Sequence, residues 1–321
     1  MAICIITGAA GFIGSHLAET LLEQGHRVVG IDSLTTNYAR SIKLSNLSAL
    51  RGDPKFTFIE KRIEHLRHDE VPWADAYVFH LAGQPGVRDS WGSGFQDFVQ
   101  NNIVASQCLL EVLRMNRPQR LILASSSSVY GVVDDHLMRE SDETTPLSPY
   151  GVTKLAAEKL CLVYAQEYSI STAILRFFSV FGPRQRPDML AHKLLTAASD
   201  QESISIFGSL DQRRDFTYVS DIVRACSASI EMVAPTAIIN VASGAPVSLA
   251  ECIRVAEALT GRSIPLVMTE RQAGDVANTH GDISKARVML NYSPLISFQD
   301  GLRRQWEWML TERRAHAQTV M

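Results

Sequence analysis

The first half of the chain alternates short apolar, β-branched runs with longer helical patterns, and this alternation restricts the fold more than any other sequence feature. Strands joined by helices in this order form a parallel sheet with helices on both faces. The predicted strands are Ile3 to Ile6, Arg27 to Ile31, Phe56 to Ile59, Ala76 to His80 and Leu121 to Ala124. The predicted helices are Phe12 to Gln24, Gln96 to Met115 and Pro149 to Tyr168.

The pattern changes after about Pro183, where the predicted elements become shorter. A chain of 321 residues is long enough for one large unit or two coupled domains, and no Pro/Gly/Ser-rich linker separates its halves. We expect a doubly wound α/β domain over residues 1–178, to which a segment near 215–245 returns, and a smaller mixed α/β domain mainly over residues 179–321. Its predicted elements are the strands Ile204 to Phe207, Phe216 to Val219 and Ile238 to Val241 and the helices Ala250 to Leu259 and Phe298 to Leu310.

Composition excludes several classes of protein. Lys plus Arg number 31 and Asp plus Glu 34, so a formal charge of −3 argues against a main role in binding nucleic acid or anionic lipid. No run approaches the roughly 20 apolar residues of a membrane span, and no basic leader of a signal peptide is present. A cytoplasmic protein without a nucleic-acid or membrane partner is expected. Five widely spaced cysteines predict buried thiols rather than zinc or redox sites, at Cys4, Cys108, Cys161, Cys226 and Cys252.

A glycine-rich turn follows the first predicted strand. Gly8, Gly11 and Gly14 lie between that strand and the first helix, where backbone can approach a pyrophosphate at the helix N-terminus. A tight structural turn is the simpler interpretation, but Asp32 ends the second strand, where a carboxylate can accept both hydroxyls of an adenosine ribose. That carboxylate would repel a 2′-phosphate. The sequence therefore predicts a Rossmann-type domain that binds NAD rather than NADP.

The spacing Gly-x-x-Gly-x-x-Gly resembles the extended short-chain dehydrogenase/reductase family, and specifically its nucleotide-sugar epimerase/dehydratase branch. The resemblance covers nearly the whole chain and implies a sugar-nucleotide substrate, with UDP-sugars favoured, and a homodimer formed through the helices Gln96 to Met115 and Pro149 to Tyr168. The motifs that carry it further are His80-Leu81-Ala82, the serine run before Tyr130-Gly131, Tyr150-Gly151-Val152-Thr153-Lys154, Arg176-Phe177-Phe178, Arg213-Arg214-Asp215-Phe216-Thr217-Tyr218-Val219 and Arg271-Gln272-Ala273-Gly274-Asp275.

The same resemblance implies further contacts with NAD. By residue matching these contacts fall on Phe12, Ile13, Ile63, Leu81, Ala82, Gly83, Asn102, Tyr150, Lys154 and Phe177. One position departs from the family pattern. The family often places Asp-Ile after the third strand for the adenine amine, whereas this chain has Arg62-Ile63, so that adenine contact is not carried over.

Tyr150 and Lys154 stand four residues apart in a predicted helix, so both side chains project from one face. A free phenol has a pKa of about 10, and Lys154 with the positive nicotinamide would favour the phenolate that takes a proton from a sugar hydroxyl. A surface tyrosine beside a solvated lysine is the alternative. The strand Leu121 to Ala124, which is followed by four serines, precedes this pair and argues against that alternative. Counting back from Tyr130 to match the family pattern, the resemblance implies that Ser126 is the catalytic hydroxyl.

The implied chemistry passes through a 4-keto sugar. The related 4,6-dehydratases carry Asp-Glu immediately after the catalytic hydroxyl, whereas this chain has Ser127 and Ser128, which are poor acids and bases at pH 7. We therefore expect 4-epimerisation of a UDP-hexose, UDP-N-acetylhexosamine or UDP-uronate. The alternatives are 5,6-dehydration with internal hydride return, 4,6-dehydration, and a regulatory NAD-binding protein without chemistry.

Arginines of the second half match the substrate contacts of the family. By resemblance, Arg214 and Arg271 bind the diphosphate, Asp275 binds the ribose, and Ser179 stands where galactose epimerases carry Asn. Surface ion pairs are the alternative. Arg88 and Arg186 are candidates for a C6 carboxylate or a phosphate. The sequence also predicts one basic pocket for the sugar diphosphate, formed by Arg184, Arg186, Arg214 and Arg271. No metal site is predicted, because His65 and His68 lie among charged residues typical of a solvated turn.

Overall fold

The computed structural model describes residues 1–133 and 136–320 and is built around a seven-stranded parallel sheet. The strands, in chain order, are β1 (Ile3–Thr7), β2 (Arg27–Asp32), β3 (Phe56–Glu60), β4 (Tyr77–His80), β5 (Arg120–Ser126), β6 (Thr172–Phe177), β7 (Ser179–Phe181), β8 (Ile204–Phe207), β9 (Arg213–Arg214), β10 (Phe216–Tyr218), β11 (Thr236–Val241), β12 (Val247–Ser248) and β13 (Leu266–Thr269). The sheet has the order β11-β6-β5-β4-β1-β2-β3. This arrangement confirms the predicted doubly wound α/β class.

Helices cover both faces of the sheet. They are α1 (Phe12–Glu23), α2 (Arg40–Asn46), α3 (Phe95–Phe98), α4 (Ala105–Asn116), α5 (Pro149–Tyr168), α6 (Leu190–Asp200), α7 (Val219–Ala228), α8 (Leu249–Thr260), α9 (Ser284–Leu290) and α10 (Phe298–Val320). Within the described part of the chain, none of them is both long and apolar enough to span a membrane.

Both faces of the sheet are apolar because successive strand residues point to opposite sides. In β1, Cys4 and Ile6 belong to one buried cluster and Ile5 belongs to the cluster on the other face. Polar side chains are therefore left to the strand ends. This is the pattern that short, continuously apolar runs predict for a parallel sheet.

The predicted helix Gln96 to Met115 is wrong in one respect, since it is not a single α-helix. A π-helical segment, Val99–Val104, separates α3 from α4 and contains the buried Asn102. A π-helical turn adds a residue to the turn and rotates the side chains that follow it, and such turns are frequent at functional sites. Periodicity in the sequence does not report this insertion, because the apolar face of α4 resumes after it.

The sequence did not predict strand β6, which carries the charged Arg176 within a buried run. One boundary also differs, because Val219, expected at the end of a strand, begins α7. The second half of the chain forms three two-stranded pairs, which are β10 with β7, β12 with β9 and β13 with β8. Strand β11 lies in the second half but forms the edge of the main sheet. The division into two domains stays a prediction.

An aromatic cluster joins the paired strands β7 and β10 to the C-terminal helix. The ring of Phe181, which is fully buried, lies 6.0 Å from that of Phe216, 5.6 Å from that of Tyr218 and 5.1 Å from that of Phe298. Edge-on and tilted ring pairs at such distances add to the free energy of area burial. This cluster therefore holds the last helix against the strands that follow β6.

We predict that Phe181→Ala lowers the free energy of unfolding by about 3–5 kcal/mol, since it removes a ring from a site without solvent. Urea denaturation followed by circular dichroism measures the change. The matched control is Phe95→Ala, which truncates a ring that is 39% exposed. Equal losses for the two variants would contradict the assigned role of the cluster.

Candidate active site at the carboxyl ends of the strands

A cavity of about 460 Å³ opens at the carboxyl ends of the central strands. Its wall includes Gly8 after β1, Asp32 of β2, Leu81 after β4, Ser126 of β5 and Phe177 of β6. Strand β1 lies between β2 and β4, so the chain winds away from it in both directions. Ligands of open α/β sheets bind at this switch point. Every residue predicted to contact NAD lines this one cavity.

The glycine turn requires glycine at two of its positions. A Cβ on Gly14 would lie 2.1 Å from the carbonyl oxygen of Gly8, and Gly8 itself has φ +75° and lies against the backbone of Ala82. Because backbone packs on backbone here, the start of α1 faces the cavity without side chains in between. The turn thus fits the pyrophosphate of a dinucleotide at a helix N-terminus.

Asp32 is held in place by two backbone donors. The N–H groups of Ala10 and Leu34 donate to its carboxylate at 3.1 and 2.8 Å. Burial raises the pKa of Asp32, while the positive charge of Lys43 acts in the opposite direction. Lys43 lines the same cavity and donates to Thr35 at 3.0 Å. The sequence analysis missed Lys43 because α2, which carries it, shows no clear periodicity.

The departure at Arg62 has a local structural consequence. Its guanidinium donates to the carboxylate of Glu64 at 2.8 Å and to the side-chain oxygen of Asn101 at 3.1 Å. Although burial opposes it, hydrogen bonds from Gln100 and Arg62 lower the pKa of Glu64. Arg62, Ile63 and Glu64 all line the cavity, so a carboxylate is present here two residues after the family's usual position.

Asn102 joins the loop after β4 to helix α5. Its side-chain oxygen accepts from the N–H of Gln84 at 2.7 Å, and its amide donates to the Gln84 carbonyl at 3.0 Å and to the Thr153 hydroxyl at 2.9 Å. Asn102 therefore fixes the wall of the cavity to the turn of helix that carries Tyr150 and Lys154. Asn102 lies within the π-helical segment, where it is buried.

A serine cap determines where α5 begins. The Ser148 hydroxyl accepts from the N–H of Gly151, and Pro149 occupies the first helical position. A Cβ on Gly151 would lie only 2.4 Å from the carbonyl oxygen of Ser128, so the first turn of the helix packs directly on the serine run. The sequence Tyr-Gly places the phenol of Tyr150 beside that run.

The structure brings Ser126, Tyr150 and Lys154 together at the base of the cavity. Burial raises the pKa of Tyr150, whereas a hydrogen bond with Ser126 and the positive charge of Arg186 act to lower it. Burial lowers the pKa of Lys154 to about 8, although the negative charge of Glu158 acts to raise it. The Lys154 ammonium donates to the Ala124 carbonyl at 2.5 Å. Ser127 and Ser128 line the same cavity.

Four predicted substrate residues meet outside the cavity lining. Arg88 donates to the Asp275 carboxylate at 2.9 Å, and Arg271 donates to the Asp275 carbonyl at 2.6 and 3.1 Å. Arg214 donates to the carbonyl of Ala277 at 2.9 Å, and burial lowers its pKa. Segments distant in sequence therefore place three guanidinium groups around one carboxylate-bearing turn.

The three remaining substrate predictions separate. Ser179 and Arg186 line the cavity, with Arg186 paired to Asp188 at 2.7 Å. Arg184 does not join them, and Arg214 and Arg271 also lie outside the lining, which corrects the expectation of one basic pocket. Its backbone is left-handed, with φ +64°, and its guanidinium lies against α1, where it donates to Glu19 at 2.6 Å.

The family model described as "NAD dependent epimerase/dehydratase family" matches residues 4–242. The chain belongs to this family. It is an NAD-dependent enzyme of the nucleotide-sugar epimerase class.

Individual relatives cover almost the whole chain. The "Uncharacterized UDP-glucose epimerase YtcB" of Bacillus subtilis is 43% identical over 302 residues, or 93% of this chain and 95% of the relative. The UDP-glucuronate 4-epimerase of Thermodesulfobacterium geofontis is 35% identical and covers 95% of each chain. The crystal structure of UDP-glucuronic acid 4-epimerase from Bacillus cereus, in complex with UDP-glucuronic acid and NAD, superposes with a TM-score of 0.93 at 39% identity, covering 97% of this chain and 100% of that one.

We predict that Gly14→Ala abolishes measurable NAD binding, because the new methyl group must displace the Gly8 carbonyl from the turn. Isothermal titration calorimetry with NAD measures the affinity, and a thermal melt without NAD checks the fold. Gly52→Ala is the matched control, since no heavy atom lies within 4 Å of a Cβ built there. Normal NAD affinity in a folded Gly14→Ala variant would refute the close approach.

Proposed function

We propose that the protein catalyses 4-epimerisation of a UDP-sugar, with UDP-glucuronate as the preferred substrate. The observation that carries the proposal is the cluster of Ser126, Tyr150 and Lys154 at the base of the cavity, with hydroxyl groups rather than carboxylates beside it. Bound NAD supplies the reversible acceptance of a hydride from C4 of the sugar. The residues of this chain supply the proton transfer and hold the sugar.

Tyr150 acts as the base for the C4 hydroxyl. Its phenolate takes the proton, and the positive charge of the Lys154 ammonium nearby favours this phenolate form. Ser126 hydrogen-bonds with Tyr150 and in our proposal shares the same sugar oxygen. In the reverse step, Tyr150 returns the proton to the oxygen on the epimeric carbon.

The arrangement of carboxylates favours epimerisation over dehydration. Loss of a hydroxyl from C6 needs an acid at that oxygen and a base for the C5 proton. Among the described residues that line the cavity, the carboxylates are Asp32 and Glu64, and both belong to the end where β2 and β3 finish. Ser127 and Ser128 occupy the place beside the triad. Rotation of a keto sugar, by contrast, needs no further acid.

The polar groups near Tyr150 suit a uronate. Arg186 lines the same cavity as Tyr150, and its positive charge acts on the Tyr150 phenol. We propose that this guanidinium faces the bound sugar. Ser127, Ser128 and Ser179 line the same region and can donate hydrogen bonds to a C6 carboxylate. We assign the diphosphate to Arg88, Arg214 and Arg271 and the uridine ribose to Asp275.

Turnover is tested by incubating the protein with NAD and UDP-glucuronate, UDP-glucose or UDP-N-acetylglucosamine and following the products by proton NMR. We expect a C4 epimer, formed fastest from UDP-glucuronate. A vinyl proton would instead establish 5,6-dehydration. Loss of the C6 oxygen with a stable 4-keto product would establish 4,6-dehydration, and no product from any sugar would favour a regulatory NAD-binding protein.

Tyr150→Phe should lower kcat by about 10²–10⁴-fold while the protein still binds NAD, because only the proton-transfer group is lost. Tyr77→Phe, at the opposite end of β4 from the cavity, is the matched control. Full activity of Tyr150→Phe would disprove the mechanism.

We also propose that the protein is a cytoplasmic homodimer. Apolar side chains are exposed on α4 and α5, among them Met115 and Val163 at 67% and 56%. Four of the five cysteines are buried and all five are free thiols, a state typical of a reducing compartment. Sedimentation equilibrium should give twice the mass of the chain, and Val163→Glu should shift it toward the monomer. A wild-type monomer at micromolar concentration would contradict the dimer.

A further inference from the structure

A buried ion pair lies behind the proposed catalytic groups and takes no direct part in their chemistry. Glu158 on α5 and Arg176 on β6 are 1% and 2% exposed. The guanidinium donates two hydrogen bonds to the carboxylate, at 2.9 Å from Nε and 2.8 Å from Nη2. This bidentate geometry fixes the carboxylate against rotation.

The pair connects four elements of the fold. The hydroxyl of Ser125, next to the proposed catalytic Ser126, donates to Glu158 at 2.5 Å. The Arg176 guanidinium lies over the Tyr130 ring at 4.7 Å, and the Tyr130 hydroxyl donates to Asn240 at 2.7 Å. The end of β5 is therefore tied through Glu158 to α5, and through Arg176 and Tyr130 to β6 and β11.

Stability alone does not account for this arrangement. A buried ion pair loses the hydration of both charges, and well-packed apolar residues in its place are often as stable or more stable. Nη1 of Arg176 is buried without a hydrogen-bond partner, which adds to the cost. A pair so placed, with an unsatisfied donor, indicates a role in the neighbouring site.

The neighbouring group is Lys154, one helical turn before Glu158. Its ionisable surroundings come from several elements. Glu158 and Cys161 act on it from its own helix, where Tyr150 lies one turn before it, and His80 interacts with it from β4. Arg176 of β6 is paired with Glu158, and the charge of Arg186 acts on Tyr150.

Most of these neighbours cannot hold a negative charge at pH 7. Burial lowers the pKa of His80 to about 3 and raises that of Cys161 to about 12, so both are neutral. Arg176 and Arg186 are cations, and burial raises the pKa of Tyr150. Among the described groups around Lys154, Glu158 is therefore the anion that opposes the loss of its proton.

We propose that Glu158 is a positioning residue that keeps the buried Lys154 amine in its ammonium form, and that Arg176 holds the Glu158 carboxylate and the end of β5 in register with α5. The inference rests on the proposed role of Lys154 in the reaction. It predicts the direction of one change. Removing the negative charge of Glu158 makes the ammonium of Lys154 easier to deprotonate, and the uncompensated Arg176 acts in the same direction.

The test measures the Lys154 pKa directly in the NAD-bound protein. Lysine labelled with ¹³C at Cε is titrated by NMR, with the Lys154 signal assigned from Lys154→Met. In Glu158→Gln we expect the Lys154 pKa to fall by roughly one unit relative to wild type. With a UDP-sugar substrate, the alkaline limb of kcat should move to lower pH by the same amount.

Asp221→Asn is the matched control. Asp221 is also 1% exposed and paired with an arginine, Arg224 at 2.6 Å, but it lies on α7. It should lose stability while the Lys154 pKa and the pH profile stay at the wild-type values. An unchanged Lys154 pKa in folded Glu158→Gln would overturn the proposal.

Glu158→Asp keeps the charge and can still pair with Arg176, so its Lys154 pKa should stay near the wild-type value. The double variant Glu158→Gln/Arg176→Met removes both charges of the pair, which buried ion pairs often tolerate, and covers the case in which Glu158→Gln does not fold. Its Lys154 pKa should also fall, and an unchanged Lys154 pKa in this folded variant would refute the inference. The NMR titration needs no sugar substrate, so it separates the two proposals. If the wild-type protein shows no epimerase activity but Glu158→Gln shows the lower Lys154 pKa, only the proposed function is rejected.

Discussion

The contact between Gly14 and the carbonyl of Gly8 is the constraint on which the rest of the site depends. It sets where α1 leaves β1, and so it determines how near a ligand can come to the backbone at the switch point of the sheet. Asp32, Leu81 and Ser126 reach the same cavity because they lie at or just after the ends of parallel strands in register with β1 or its neighbours. The close packing of Gly151 on Ser128 repeats this solution at the start of α5. In both places the absence of a side chain lets a helix begin at the cavity.

Much of the fold could be predicted from the sequence because its strands are short apolar runs between helical patterns. Helix α5 begins and ends where predicted, since Ser148 and Pro149 mark its start in the sequence itself. Strand β6 escaped prediction because Arg176 interrupts its apolar run, and its partner Glu158 lies on another element. The π-helical segment escaped for a different reason: one extra residue within a turn changes side-chain directions without changing the residue types.

Some residues of the candidate site could also be predicted from the sequence, and others could not. Residues in local motifs, such as Gly8, Asp32 and Tyr150, could be placed from the sequence, because spacing along one strand or helix determines their geometry. Lys43 could not be placed, since its position beside Asp32 depends on how α2 packs. Arg184 was misplaced because its guanidinium pairs with Glu19 on α1, a contact between residues far apart in the sequence. Long-range partners such as Arg88 and Asp275 need the complete fold before their contact exists.

Strand β11 makes the main sheet depend on the second half of the chain. The sheet that bears the cofactor site is completed by Thr236–Val241, a segment that follows much of the residue set assigned to the substrate. Arg120, at the start of β5, also donates to the carbonyls of Ser229 and Ala234. A fragment ending near residue 178 would leave the edge of β6 open to other strands. An exchange of the second half of the chain between members of the family would therefore also exchange the strand that closes the main sheet.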